Sequence, residues 1–155
     1  VATVTLGAAW EEQLAAIDTM LKLATVFLSY AHIDRNRVLP FADLLAGHDI
    51  AVWTDLQLQA GQSWASSVEA ALRKAAEDGY LIAFLSAASL RSQWVAREIA
   101  AFQQLAKIGG RMILVDLEPV DLLLPSDLQA LQRLRFYAHD IATSGRMLLK
   151  AVGLE

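Results

Sequence analysis

Short apolar runs alternate with longer amphipathic segments along most of the chain. The runs predict β-strands at residues 25–30, 50–54, 81–85, 112–115 and 135–137. Most of these runs are apolar throughout, which is typical of a parallel sheet covered by helices on both faces. For five such strands the commonest doubly wound order is 2-1-3-4-5. The pattern therefore predicts a flavodoxin-like α/β domain.

The amphipathic segments between these runs predict helices, each with a residue suited to its beginning or end. Asp34 or Asn36 is suited to cap the first helix, Ser63 the second, and Gly47 and Gly109 to follow helix ends. The predicted helices cover residues 34–46, 64–76, 89–108, 126–134 and 145–154.

Residues 1–23 form a separate amphipathic segment ahead of a domain at 24–155. Trp10, Leu14, Ile17 and Leu21 fit one helical face. A packed cap, a linker to a neighbouring domain and an oligomer contact all fit this pattern.

The helix that begins near Ser89 carries the most distinctive side chains. Its apolar stripe packs on the sheet, and Trp94 and Glu98, four residues apart, share the flank of that stripe. The stripe consists of Val95, Ile99, Phe102 and Ala106.

The predicted topology places this helix at a binding crevice. Ligands of doubly wound sheets bind beyond the C-terminal ends of strands 1 and 3, which here are residues 29–35 and 86–94. Glu98 is therefore a candidate functional carboxylate. A structural interpretation also fits, with Trp94 at the edge of the core and Glu98 paired with a neighbouring arginine.

Composition narrows the class of protein. With 55% hydrophobic and 19% charged residues, the 155-residue chain is a core-rich globular unit. A net charge of −4 argues against a general nucleic-acid partner. The chain has no Cys, and its three His have no metal-ligand spacing, so no metal site is expected. It shows neither an apolar run of about 20 residues nor a signal peptide, so we expect no membrane partner and a cytoplasmic location.

The sequence does not match the motifs of several functional sites that are common in α/β proteins. No glycine follows strand 1, which excludes a dinucleotide fingerprint and a P-loop. A response-regulator site needs an Asp at a strand end, whereas strand 1 ends in Ser29-Tyr30 and strand 3 in Ser86. A serine-hydrolase elbow is missing as well.

Three sequence boxes resemble Toll/interleukin-1 receptor (TIR) domains, most closely the bacterial branch. Residues 26–34, VFLSYAHID, resemble the opening box of that family. Residues 52–55 and 61–64 resemble its second strand and the BB loop after it, although Ala60 stands where many members have Pro. Residues 84–86 and 92–98, which include Trp94 and Glu98, resemble the third box.

The resemblance implies that the domain cleaves NAD as its substrate and needs no cofactor, with Glu98 as the catalytic residue. The leaving nicotinamide is a neutral pyridine, and the transition state resembles an oxocarbenium ion that an anionic carboxylate can stabilise. Trp94 is expected to bound the ligand site, and Tyr30, His32 and Asp34 to line its other side. Packing for Tyr30, exposure to solvent for His32 and a turn cap for Asp34 are the local alternatives.

Two other functions fit the same sequence. One is a non-catalytic TIR module that only associates with other TIR domains, and the other is a related nucleoside-transferring enzyme. For the enzyme, the resemblance implies self-association through the BB loop, Asp55 to Ser63, and a role as effector in bacterial antiphage defence. The sensor domain of such a protein would lie outside this chain.

Overall fold

The computed structural model describes residues 25–48, 50–54, 64–105, 111–129 and 131–154. The predicted segment 1–23 and the predicted BB loop, 55–63, lie outside these ranges. The strands are β1 (Thr25–Ser29), β2 (Ala51–Trp53), β3 (Tyr80–Leu85), β4 (Arg111–Asp116) and β5 (Arg133–Arg135). The helices are α1 (Arg35–Ala46), α2 (Trp64–Asp78), α3 (Ala87–Arg91), α4 (Gln93–Leu105), α5 (Ser126–Gln129) and α6 (Ile141–Ala151).

The five strands form one parallel sheet in the order β2-β1-β3-β4-β5, which confirms the predicted fold class. β1 is an interior strand, which pairs with β2 on one side and β3 on the other. The change of direction in strand order therefore falls between β1 and β3, where doubly wound folds bind their ligands.

Apolar side chains cover both faces of the sheet. Successive residues of a strand point to opposite faces, so Phe27 packs toward α2 and α4, while Val26 and Leu28 pack toward α1 and α6. Both β1 and β3 supply residues to the two cores, which explains why their sequences are apolar throughout. The core beneath α2 and α4 includes Leu72, Leu81, Leu85, Val95, Ile99 and Phe102.

One predicted helix is in fact two, so that prediction is wrong. Ser92 is extended, with φ −82° and ψ 117°, and separates α3 from α4. Three serines explain the break, because each can satisfy backbone groups at a helix start. Ser86 and Ser89 form a capping box on α3, and the Ser92 hydroxyl accepts a hydrogen bond from the Val95 amide at 3.3 Å.

The C-terminal elements differ from their predicted positions. β5 ends at Arg135, and Phe136 starts a 3-10 turn, because its ring is buried against Phe41 with the centroids 4.7 Å apart. α6 begins at Ile141, four residues earlier than predicted, since the Asp140 carboxylate accepts the Thr143 amide at 2.7 Å. α5 ends at Gln129, five residues short of the prediction.

Candidate active site

A buried hydrogen bond joins the end of β1 to α4. The Ser29 hydroxyl donates to Glu98 Oε1 at 2.7 Å, and the two residues are 0% and 4% exposed. Glu98 belongs to the buried face of α4 together with Val95 and Phe102. The sequence predicted Glu98 at the flank of the apolar stripe, whereas the structure places it on the buried face. The small polar residue that ends β1 gives the carboxylate a hydrogen-bond partner, which a buried charge requires.

Glu98 and Trp94 line one groove between α2 and α4, of about 370 Å³. Val68 and Leu72 form its wall on α2, and Trp94 is half-buried against the same core. Such a volume falls within the range of about 300–1,000 Å³ that is usual for small-molecule sites. Trp94 is one helical turn before Glu98 and packs at the edge of this core.

Charged side chains border this groove. Arg73 and Arg97 bring two positive charges, and Glu69 pairs with Arg73 at 3.0 Å. All three are exposed, so the pair itself contributes little to stability. An apolar groove with a buried carboxylate and two cations suits a ligand that has both rings and anionic groups.

The other three predicted site residues lie elsewhere. Tyr30 is buried in the core beneath α1 and α6, on the opposite face of the sheet from Glu98. His32 is exposed in the 3-10 turn after β1, and Asp34 is 3% exposed at the end of that turn. The described residues that line the groove include none of the three.

Asp34 belongs to a network that we call the strand-end clamp, formed by Asp34, Arg37, Ser86 and Glu118. Arg37 Nη1 donates to Asp34 Oδ1 and Glu118 Oε1, both at 2.9 Å, and the Ser86 hydroxyl donates to Asp34 Oδ2. Hydrogen bonds from Arg37 and from the Ala87 amide hold the pKa of Glu118 below its ordinary value. Asp34 precedes α1 but makes no side-chain cap on that helix. The clamp fixes the segments that follow β1, β3 and β4 to one another.

A second buried carboxylate ends β4. Asp116 is 0% exposed, and its Oδ2 accepts Arg133 Nε at 3.0 Å, while Arg133 also pairs with Asp121. Within the described part of the chain, Asp116 Oδ1 has no hydrogen-bond partner. Burial raises the pKa of Asp116, and the hydrogen bond from Arg133 opposes that rise.

Asp116→Asn will change how stability depends on pH. A raised pKa in the folded state means that the folded protein binds this proton more tightly than the unfolded chain. The wild type therefore loses free energy of unfolding relative to the variant as the pH rises above about 4. Urea unfolding at pH 4 and pH 7 measures that difference. If the free energy of unfolding of the wild type instead increases relative to that of the variant as the pH rises, burial does not control the pKa of Asp116.

The described residues contain neither a candidate metal site nor a membrane-spanning helix. No group of three or more His, Asp or Glu side chains among the described residues could hold a metal ion. None of the described helices is long and apolar enough to cross a bilayer.

Sequence reasoning missed Ser29 and three members of the strand-end clamp, Arg37, Ser86 and Glu118. One signal for Ser29 was available, since it ends an apolar run in a strand whose C-terminus borders the predicted crevice. Arg37 and Glu118 are far apart in sequence, and no local pattern links them.

The fold and the site geometry define a doubly wound α/β domain with a carboxylate at its switch point. Comparison with family models identifies it further, since the model described as "TIR domain" matches residues 26–148. The chain belongs to the TIR domain family, as its three boxes indicated. A search of curated proteins finds no match.

Two solved structures show the same fold. The TIR domain of the Toll-related receptor TRR-2 from Hydra magnipapillata is 16% identical, with a TM-score of 0.67 over 82% of this chain and 96% of that one. The TIR domains of the activated Roq1 resistosome, which directly recognizes the pathogen effector XopQ, are 19% identical. That match has a TM-score of 0.55 and covers 83% of this chain and 82% of the other. At these identities the likeness concerns the fold alone.

Proposed function

We propose that this TIR domain is an NAD glycohydrolase, which cleaves the bond between nicotinamide and ribose. One observation carries the proposal: a buried carboxylate, Glu98, is held at the switch point of the sheet and lines a groove with Trp94. A carboxylate that served only to solubilise a helix would be exposed.

The reaction asks little of the protein beyond a placed negative charge. Nicotinamide leaves as a neutral pyridine, so its nitrogen needs no proton from a general acid. Positive charge develops on the ribose, and an anionic Glu98 in a water-poor site stabilises it. Water, or a nucleophile within the substrate, then completes ADP-ribose or its cyclic form.

The groove suggests how NAD would lie. The half-buried face of Trp94 offers an apolar wall for a ring, and the two arginines at the border, Arg73 and Arg97, suit the pyrophosphate. His32 is exposed and would approach the ligand from the β1 side in this proposal, whereas Tyr30 and Asp34 are buried and would shape the loop that follows β1.

The direct test is to incubate the purified protein with NAD and separate the products by chromatography and mass spectrometry. Nicotinamide with ADP-ribose or a cyclic form supports the proposal. A product that carries ADP-ribose or the nucleoside on another acceptor supports a transferase instead. No turnover at any protein concentration supports the non-catalytic interaction module.

The cellular role rests on the family resemblance. TIR domains act in signalling and generally self-associate. We propose that this one is the cytoplasmic effector of a bacterial antiphage protein, with its sensor outside this chain and self-association through the BB loop, 55–63. Specific activity that rises with protein concentration or with a crowding agent supports self-association, and a flat profile contradicts it.

Trp94→Ala will damage the reaction more than the fold. Its ring is half-buried, so truncation should cost less than the about 3–5 kcal/mol of a fully buried Trp. Losing the wall beside Glu98 lets substrate and carboxylate shift, which can cost about 100-fold in rate. Thermal midpoint and NAD turnover on one preparation measure both effects. A large drop in midpoint with full activity per folded molecule would make Trp94 a core residue only.

A further inference from the structure

We infer that Ser29 is a positioning residue that holds the Glu98 carboxylate in its reactive orientation. The inference rests on the proposed function and extends it to a residue outside the Trp-x-x-x-Glu motif. Ser29 and Glu98 are 69 residues apart in the chain and meet only in the folded protein.

The geometry of the contact is that of a strong hydrogen bond. A distance of 2.7 Å between the hydroxyl oxygen and Glu98 Oε1 is typical of a bond in which a hydroxyl donates to a carboxylate. Both groups are almost fully buried, so bulk water does not compete for either. Away from water the hydrogen bond is electrostatically stronger, so both side chains favour the orientation that forms it.

Packing alone does not explain a serine at this position. Within β1, Ser29 lies two residues after Phe27 and so points to the same face of the sheet, beneath α2 and α4. Its neighbour across the pair in β3 is Ala83, which is also fully buried. An alanine would fill this position without burying a hydroxyl group, which costs free energy. In this protein the hydrogen bond from Ser29 to Glu98 offsets that cost.

The strand offers a rigid anchor for a group that a helix carries. β1 is an interior strand of the sheet and is hydrogen-bonded to a neighbour on each side. α4 reaches the sheet through side-chain packing, and Glu98 has several rotatable bonds. A donor fixed to the strand therefore removes side-chain freedom from Glu98 before substrate arrives, which is the purpose of preorganisation.

The test compares Ser29→Ala with a matched control, Ser144→Ala. Ser144 is 1% exposed on α6, and its hydroxyl donates to the Phe136 carbonyl at 3.5 Å on the other face of the sheet. We expect Ser29→Ala to lower kcat for NAD about 10- to 100-fold with KM within about twofold of the wild type. Ser144→Ala should leave turnover per folded molecule unchanged.

A second readout does not depend on turnover. With carboxyl-¹³C-labelled Glu, the Glu98 resonance is assigned by its loss in Glu98→Gln, and we expect it to shift in Ser29→Ala and not in Ser144→Ala. An unmoved resonance would overturn the inference. So would a loss of kcat that only tracks the unfolded fraction, or a raised KM at unchanged kcat. If the wild type does not cleave NAD, the proposed function fails, whereas a shifted resonance still shows that Ser29 holds the carboxylate.

Discussion

Glu98→Gln is expected to lower the release of nicotinamide from NAD by roughly 100- to 1,000-fold or more, while the protein stays folded. This is the size of effect seen when one preorganised electrostatic group is removed from an active site. Glutamine has the shape of glutamate, and its amide oxygen can still accept the Ser29 hydroxyl. The variant therefore removes the negative charge that would stabilise the oxocarbenium ion in the proposed reaction, and little else.

The matched control is Glu69→Gln, which removes the same charge from the same groove. Glu69 is exposed on α2 and pairs with Arg73, not with the end of β1. Its loss should change kcat by less than about threefold, because exposed charges act weakly through solvent. Equal losses in the two variants, or full activity in Glu98→Gln, would remove Glu98 from its catalytic role.

The structure also changes which substitution of Glu98 is informative. The sequence predicted this carboxylate at the flank of the apolar stripe, and the structure buries it instead. At 4% exposure, alanine would open a cavity and take away the acceptor of the Ser29 hydroxyl. We expect Glu98→Ala to lose stability as well as activity, since buried polar groups without partners are costly.

Gly79→Ala is expected to lower the free energy of unfolding by about 3 kcal/mol or more, the largest loss of stability among these variants. Gly79 joins α2 to β3, and a Cβ there would lie 1.9 Å from the carbonyl oxygen of Thr25. The obstacle is the backbone of β1, an interior strand of the sheet, so a rotamer change cannot relieve it. Thermal or urea unfolding measures the loss, which corresponds to roughly 10 °C in midpoint for a chain of this size.

Gly47→Ala is the control for that experiment. Gly47 follows α1 with φ −67°, which any residue adopts, and its added Cβ would meet the Asp43 and Leu44 carbonyls at 3.5 Å, an ordinary contact. We expect a change of less than about 1 kcal/mol, on the stabilising side, because alanine restricts the unfolded chain. Similar losses at both glycines would show that contact with Thr25 is not what requires Gly79.

The fold could be predicted from the sequence because it follows from local patterns of apolar and polar residues. Continuous apolar strands separated by amphipathic segments define a parallel sheet covered on both faces, and its commonest order was the one found. Boundaries failed where a tertiary contact or a cap decided them. Phe136 packs in the core and is not part of the strand that was predicted to include it. The cap formed by Asp140 makes the last helix begin four residues before its predicted start.

The site was open to prediction only in part. Spacing along one helix linked Trp94 to Glu98, and topology put them near the crevice. The buried Glu98 carboxylate accepts the Ser29 hydroxyl, a partner that no sequence spacing connects to it. The sequence left Asp34 open between a turn cap and the ligand site, and in the structure its carboxylate accepts hydrogen bonds from Arg37 and Ser86.

The bond between Ser29 and Glu98 also has a consequence for the timing of folding during synthesis. Its partners are 69 residues apart, and β3, which lies beside β1 in the sheet, is made between them. Contacts of such long sequence separation form late and slowly. A growing chain that ends before residue 98 lacks the carboxylate, and one that ends just after it lacks β4, the support on the far side of β3. A nascent chain therefore lacks the contact between Ser29 and Glu98 until residue 98 has been made, and under the proposed function it cannot cleave NAD before that point.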